Sequence, residues 1–159
     1  VCSSDLAFRN PHCAETAAEQ TDKDGNTRTA LNLYMNGAEV FNFSIKVEPA
    51  AVREILEYAG KTVEDVDALL FHQANRYIIS NIAKRLKIPL EKAPCGTVEK
   101  YGNQSSASIP SVLCDGIGES VKTGRMECLL SGFGVGLSWA SCLLTLENLA
   151  VADVRILSE

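Results

Sequence analysis

Two polar side chains stand where apolar runs of this chain stop. His72 follows the apolar stretch 66–71 in Phe71-His72-Gln73-Ala74-Asn75, and Asn103 precedes a helix-like segment in Tyr101-Gly102-Asn103-Gln104-Ser105-Ser106. Carboxyl ends of strands and loops entering helices are where open α/β sheets gather their sites. Imidazole and carboxamide can both donate hydrogen bonds, and neither need carry a negative charge, which suits a developing oxyanion. A third element, Gly132-Phe133-Gly134-Val135-Gly136, lets a ligand approach the main chain and can aim N–H groups at such an oxygen. Its glycine spacing is not that of a dinucleotide fingerprint, and a strand-like run follows it rather than a helix. On residue pattern alone plainer readings stay open: a hydrogen-bonded histidine at a strand end, and a left-handed turn asparagine after Gly102.

The elements that must position these groups alternate in type. Residues 66–71 have the length of a strand. Pro49 opens a helix with Val52, Ile55, Leu56 and Ala59 on one face and Gly60 at its end, and residues 38–45 before it read as a further helical stretch. Residues 75–87 are amphipathic, apolar at Ile78, Ile79, Ile82 and Leu86, with Pro89 beyond. Residues 105–121 read as a third helix, capped by a Ser-rich start and with Pro110 in its first turns. Residues 126–130 and 137–146 read as strands, and 31–35 as a short one. The first thirty residues are polar and aperiodic. Their segment 21–26 is a turn rather than a calcium loop, because Leu33 stands where the closing Glu would fall. The order predicts a layered α/β arrangement around one sheet.

Composition narrows the function classes. A chain of 159 residues with 46% hydrophobic and 22% charged content can bury a core, so disorder is excluded. A formal charge of -5 speaks against general nucleic-acid binding, which needs a dominant basic surface. Six cysteines form no C-x-x-C pair, which removes zinc-ribbon and thioredoxin readings. Cys114, Cys128 and Cys142 lie in apolar runs and read as buried thiols of a reducing, cytoplasmic compartment. Residues 128–146 carry no charge and reach membrane-spanning length, but Gly132, Gly134 and Gly136 interrupt them, so two buried strands joined at a glycine turn are expected. Residues 1–10 have neither the basic start nor the apolar stretch of a signal peptide. Lacking an initiator Met, the chain is expected to be a piece of a longer protein.

Taken in register, His72-Gln73-Ala74-Asn75, Gly102-Asn103 with Ser105-Ser106-Ala107-Ser108, and Gly132-Phe133-Gly134-Val135-Gly136-Leu137-Ser138-Trp139 resemble the closing half of β-ketoacyl-acyl carrier protein synthase III, a thiolase-fold condensing enzyme. The resemblance covers about residues 33–146. It implies an α/β fold, the C-terminal half of a thiolase-like fold, with a five-stranded mixed sheet and helices on its faces. That unit would occupy residues 31–159, with 1–30 a poorly matching N-terminal segment. It also implies a decarboxylative Claisen condensation of acyl-CoA with malonyl-acyl carrier protein, initiating fatty-acid synthesis without a metal or cofactor.

By the same resemblance His72 and Asn103 would donate to the malonyl thioester oxygen. Val135, between Gly134 and Gly136, would lend its N–H to an oxyanion hole, and Asn75 would line the pantetheine channel. Partners would be acyl carrier protein, coenzyme A thioesters, the N-terminal half of the same enzyme and a second copy in a homodimer. Arg76, Lys84 and Arg85 would receive the acidic carrier, within a stretch 76–92 that holds five basic residues against Glu91. Family members often have Arg where Tyr77 stands, which shifts any carrier contact there to Arg76 and turns it by about 100° around a helix.

The family's nucleophilic Cys lies in the other half, and Cys95 is expected to be a bystander. Helix 105–121, which would pack between the halves, is expected to show an apolar face in this chain alone. Three other functions remain: a condensing enzyme of secondary metabolism, a non-catalytic carrier-binding domain, and a thiol hydrolase using Cys95 and His72.

Overall fold

The computed structural model describes residues 8–9, 13–31, 34–134 and 137–155. The first elements are short: β1 (Phe8–Arg9), α1 (Ala14–Ala17), β2 (Glu19–Thr21), β3 (Thr27–Thr29) and β4 (Tyr34–Met35). β1 pairs antiparallel with β4, and β2 with β3. The expected turn at 21–26 joins β2 to β3. Asp22 holds it by accepting the N–H groups of Asp24 and Asn26, each at 3.0 Å, and by pairing with Arg28 at 2.6 Å. Leu33, used above to argue against a calcium loop, lies outside the described residues.

One helix, not two, enters the core. α2 (Gly37–Tyr58) runs unbroken for 22 residues, where the sequence suggested a fresh start at Pro49. Asn36 caps it, accepting the Glu39 N–H at 3.3 Å. Val40, Ser44, Glu48, Val52 and Leu56 recur every fourth residue and all are buried, so a single stripe passes through the proline. Pro49 has no N–H to give the Ile45 carbonyl, and an interior proline costs about 3 kcal/mol. Burying Val40, Val52 and Leu56 at about 1.5–3 kcal/mol each outweighs that.

β5 (Ala68–Phe71) is buried along its whole length. α3 (Arg76–Leu86) follows the expected pattern, burying Ile78, Ile79, Ile82 and Leu86. Lys87 then turns left-handed (φ 59), and the Ile88 N–H returns to the Ala83 carbonyl at 3.1 Å, closing the helix. A short α4 (Gly96–Tyr101) leads to Gly102.

Residues 105–121 do not form the single helix expected of them. They make a 3₁₀ turn (Ser105–Ala107), α5 (Ser108–Ser111), a π turn (Val112–Gly116) and the start of α6 (Gly118–Thr123). The Ile117 N–H reaches five residues back to the Val112 carbonyl at 3.2 Å, the wide spacing of a π turn, and Ile117 then leaves the helical region at φ -130, ψ 6. This broken path turns Val112, Ile117 and Val121 onto the sheet against Ala68, Leu70 and Cys128. Those three apolar side chains are therefore covered, contrary to the bare face expected along this segment. The large exposed apolar side chains among the described residues lie elsewhere, Tyr58, Tyr77, Trp139 and Leu144 among them.

β6 (Arg125–Gly134) and β7 (Ser138–Glu147) complete a mixed sheet in the order β5-β6-β7. β5 runs parallel to β6, with Phe71 opposite Ser131, and β7 runs antiparallel to it, with Ser141 opposite Ser131. The uncharged stretch 128–146 is thus the expected strand pair, although β7 is largely exposed rather than buried, and no helix among the described residues is long and apolar enough to cross a membrane. The thiolase-like α/β reading holds, but the sheet has three strands among the described residues rather than five. β2 and β3, exposed and polar, offer no apolar face to stack on the core and stay a separate ribbon. α2 and α3 cover one face through Val52, Ile79 and Ile82 against Leu69, Phe71 and Leu129, and the broken helical segment covers the other.

The cysteines are not uniform. Cys128 is buried, Cys114 half-buried and Cys142 exposed on the outer strand β7, where most side chains face solvent. Cys13 is disulfide-bonded. The expectation of buried thiols therefore holds at Cys128, is met only in part at Cys114 and fails at Cys142.

Candidate active site

Parallel pairing of β5 with β6 carries His72 beside the end of β6. Its N–H donates to the Ser131 carbonyl at 3.0 Å. Two residues further along β6, the Phe133 ring meets the imidazole edge-on, with centroids 5.3 Å apart at 89°. Gln73 is buried and donates Nε2 to the carbonyls of Phe71 at 3.0 Å and Pro94 at 3.2 Å, pinning the turn that follows β5. The His72 backbone is thus held on both sides.

Asn103 follows Gly102, whose φ of 71 suits a residue without Cβ. Asn103 Oδ1 accepts the Ser105 N–H at 2.9 Å, which leaves the Nδ2 hydrogens as donors. Ser105 itself sits in the left-handed region at φ 53. Burial holds the His72 imidazole below its ordinary value, and a hydrogen bond with the Ser105 main chain works against that. A bond that favours the protonated ring is one the imidazole donates, so the acceptor is the Ser105 carbonyl. The two peptide groups that flank Ser105 therefore meet one candidate side chain each.

His72, Asn103, Ser105, Phe133, Gly134 and Trp139 share one cavity of about 780 Å³. Of the expected site residues, His72, Asn103 and Gly134 come together here, while Val135 and Gly136 lie outside the described residues. Asn75 does not line the cavity: it is exposed, and its Oδ1 accepts the Ile78 N–H at 2.8 Å as the cap of α3. Cys95 is buried and also absent from the cavity lining, and burial pushes its thiol up. A Cys95–His72 thiol hydrolase is not supported.

Arg76, Lys84 and Arg85 are exposed on α3. Arg76 pairs with Glu99 at 2.5 Å. Lys92, counted in the same basic stretch, donates Nζ to the carbonyls of Val63, Glu64 and Val66 and serves the fold. Arg53 of α2 takes its place in the patch, donating to the Arg85 carbonyl at 2.7 Å. Gln73, Ser105, Phe133 and Trp139 all lay inside the quoted motifs, yet nothing in their types disclosed these roles.

A layered α/β half in which a strand-end histidine, a pre-helix asparagine and a glycine-bearing strand share one cavity is the architecture of thiolase-like condensing enzymes. The family model described as 3-Oxoacyl-[acyl-carrier-protein (ACP)] synthase III C terminal matches residues 56–146, and the chain belongs to this family. A β-ketoacyl-[acyl-carrier-protein] synthase III of Clostridium perfringens is 42% identical over 124 residues, covering 78% of this chain and 38% of that protein. A crystal structure of a 3-oxoacyl-(acyl-carrier-protein) synthase III superposes with TM-score 0.73 at 41% identity, over 84% of this chain and 40% of the other. The priming β-ketosynthase of the R1128 polyketide pathway gives TM-score 0.64 at 36% identity, over 77% and 36% of the two chains. This chain spans between 35% and 40% of the length of the curated relatives it matches.

Proposed function

We propose that this chain supplies the enolate-stabilising half of a β-ketoacyl-acyl carrier protein synthase III that starts fatty-acid synthesis. An N-terminal half would bear the Cys that takes an acyl group from acyl-CoA. Malonyl-acyl carrier protein would lose carbon dioxide, and the electron pair of the broken bond would pass into the thioester as an enolate. That enolate would attack the acyl carbonyl and expel the Cys thiolate. The observation that carries this reading is the convergence of His72 and Asn103 on one cavity.

Asn103 offers its Nδ2 hydrogens to the enolate oxygen. His72 has one ring nitrogen engaged by Ser105, and its other nitrogen donates when the ring is protonated. Burial opposes that protonation, and an adjacent oxyanion favours it, so the developing charge draws the donor it needs. Gly134, Val135 and Gly136 would supply main-chain N–H groups to the acyl oxyanion, and Asn75, beyond its capping bond, would meet pantetheine. Arg76, Lys84 and Arg85, joined by Arg53, would receive the acidic carrier. Acting on carrier- and coenzyme A-bound substrates, the assembled enzyme would work in the cytoplasm as a homodimer, and the chemistry asks for no metal or cofactor.

The test uses this chain supplied with a Cys-bearing N-terminal half. Release of labelled carbon dioxide from malonyl-acyl carrier protein should fall about 10²–10³-fold in His72→Ala and in Asn103→Ala, while acylation of the Cys persists. Release unchanged in both variants would remove the assignment. The similarity to a priming ketosynthase favours a second reading, a condensing enzyme of secondary metabolism, which a preference for longer or branched starter acyl-CoA in the same assay would select.

A further inference from the structure

Glu48 is fully buried midway along α2, the only acidic side chain buried among the described residues. Ser131 Oγ donates to its Oε2 at 2.6 Å, and the hydroxyls of Ser131 and Ser141 share a hydrogen bond at 2.7 Å. Oε1 has no partner. Ser131 and Ser141 face each other in the β6–β7 register, next to the pair Gly132–Ala140 and then Phe133–Trp139. All four of those following residues line the cavity, and the Ser131 carbonyl holds the His72 N–H. The carboxyl therefore grips both strands at the last rung before they become the cavity wall.

We propose that Glu48 is a positioning residue for this cavity: through Ser131 and Ser141 it sets how β6 and β7 meet beneath Phe133 and Trp139, and exchange of its proton resets that wall. An ionised Glu48 can only accept, so Ser131 gives its proton to the carboxylate and Ser141 must donate to Ser131. A protonated Glu48 can instead donate to Ser131 Oγ, freeing the Ser131 hydrogen for Ser141. The Ser131–Ser141 bond then reverses direction with no change of partners.

Burial raises the Glu48 carboxyl to about 7, opposed by the Ser131 hydrogen bond. No charged group on the packed elements competes for the role. Arg76, Lys84 and Arg85 of α3 are exposed, as are Lys46, Arg53, Glu54 and Glu57 of α2 itself. On the strands, Glu127 lies four residues before Ser131, about 13 Å along β6, with Arg125 and Glu147 beyond it; Cys128 belongs to the opposite face, and Cys142 is exposed. His72 is the titratable group nearest in the chain of contacts, which the test must separate.

Trp139 is the sole tryptophan, so its emission reports on the wall directly. Followed in this chain from about pH 5.5 to about 8.5, it should change with a midpoint near 7. The change should vanish in Glu48→Gln and persist in His72→Ala. Ser131→Ala leaves the carboxyl in place but cuts its link to the strands, and should also abolish the change. That variant decides the matter if Glu48→Gln fails to fold. A flat wild-type profile, a transition that survives Ser131→Ala, or one lost in His72→Ala but retained in Glu48→Gln would overturn the proposal. No carrier or acyl substrate enters the measurement, so the outcome is independent of the condensation reading.

Discussion

Replacing Glu48 by glutamine should change how the stability of this chain depends on pH. The carboxyl ordinarily titrates at 4.5, and in the fold burial raises it to about 7. The protonated acid is thus the form the folded state prefers. Below pH 4.5 the group is protonated whether the chain is folded or not, and its contribution is fully present. Between 4.5 and about 7 the unfolded chain releases the proton while the buried carboxyl keeps it, so each step upward in pH favours unfolding. Above about 7 the contribution is gone. At about 1.4 kcal/mol per pH unit the span amounts to about 3 kcal/mol, or roughly 6–12 °C in Tm for a chain of this size. The Glu48→Gln chain lacks this slope. Urea unfolding followed by circular dichroism at pH 5 and pH 8 should show the variant gaining on the wild type by about 2.5 kcal/mol between the two conditions, part of the span lying below pH 5. Parallel pH profiles for the two proteins would refute the reasoning, because they would mean the folded-state carboxyl titrates as an exposed one does.

Lys84→Glu combined with Arg85→Glu should weaken binding of acyl carrier protein, and raising salt should weaken wild-type binding; calorimetry at two ionic strengths measures both, and unchanged affinity would return these residues to an ordinary solvated face. The His72 imidazole should titrate below 6.5 by NMR, with His12, the only other histidine, distinguished through His72→Ala; a midpoint at or above 6.5 would mean the ring is solvated. Ser105→Pro removes an N–H and fixes φ near -65°, so it should cost carbon dioxide release about as much as Asn103→Ala. Ser105→Gly, which keeps both peptide contacts and tolerates φ 53, should retain most of it.

What the sequence disclosed depended on whether a signal was local. α3 could be read directly because its apolar residues form one uninterrupted pattern, and β5 because a short apolar run ends at a polar residue. The sequence of α2 suggests two helices because Pro49 is a start signal by local rules, while the fourfold repeat Val40–Ser44–Glu48–Val52–Leu56 carries two polar members that hide the stripe. Residues 105–121 look helical in composition, and only packing against Leu70 and Cys128 explains the π turn at Val112–Gly116. His72 and Asn103 were visible as polar groups at element ends. The left-handed Ser105 has no signature in residue type. Glu48 and Ser131 are 83 residues apart, beyond any pattern that spacing could reveal.

Ser105, whose main chain meets both candidate side chains, also limits what each can do. The Ser105 N–H occupies Asn103 Oδ1 and the Ser105 carbonyl occupies one imidazole nitrogen, so His72 and Asn103 are each held by the main chain of one residue. Their remaining hydrogen-bonding groups are free for a ligand, which is what preorganised stabilisation of an oxyanion requires. A nucleophile is a different demand, because it needs a thiolate in reach of the same cavity. Burial pushes Cys95 up and Cys128 to about 11, and no cysteine among the described residues lines the cavity. On the condensation reading proposed above, this half would prepare the site for the enolate, and the acyl group would be presented by a second polypeptide surface.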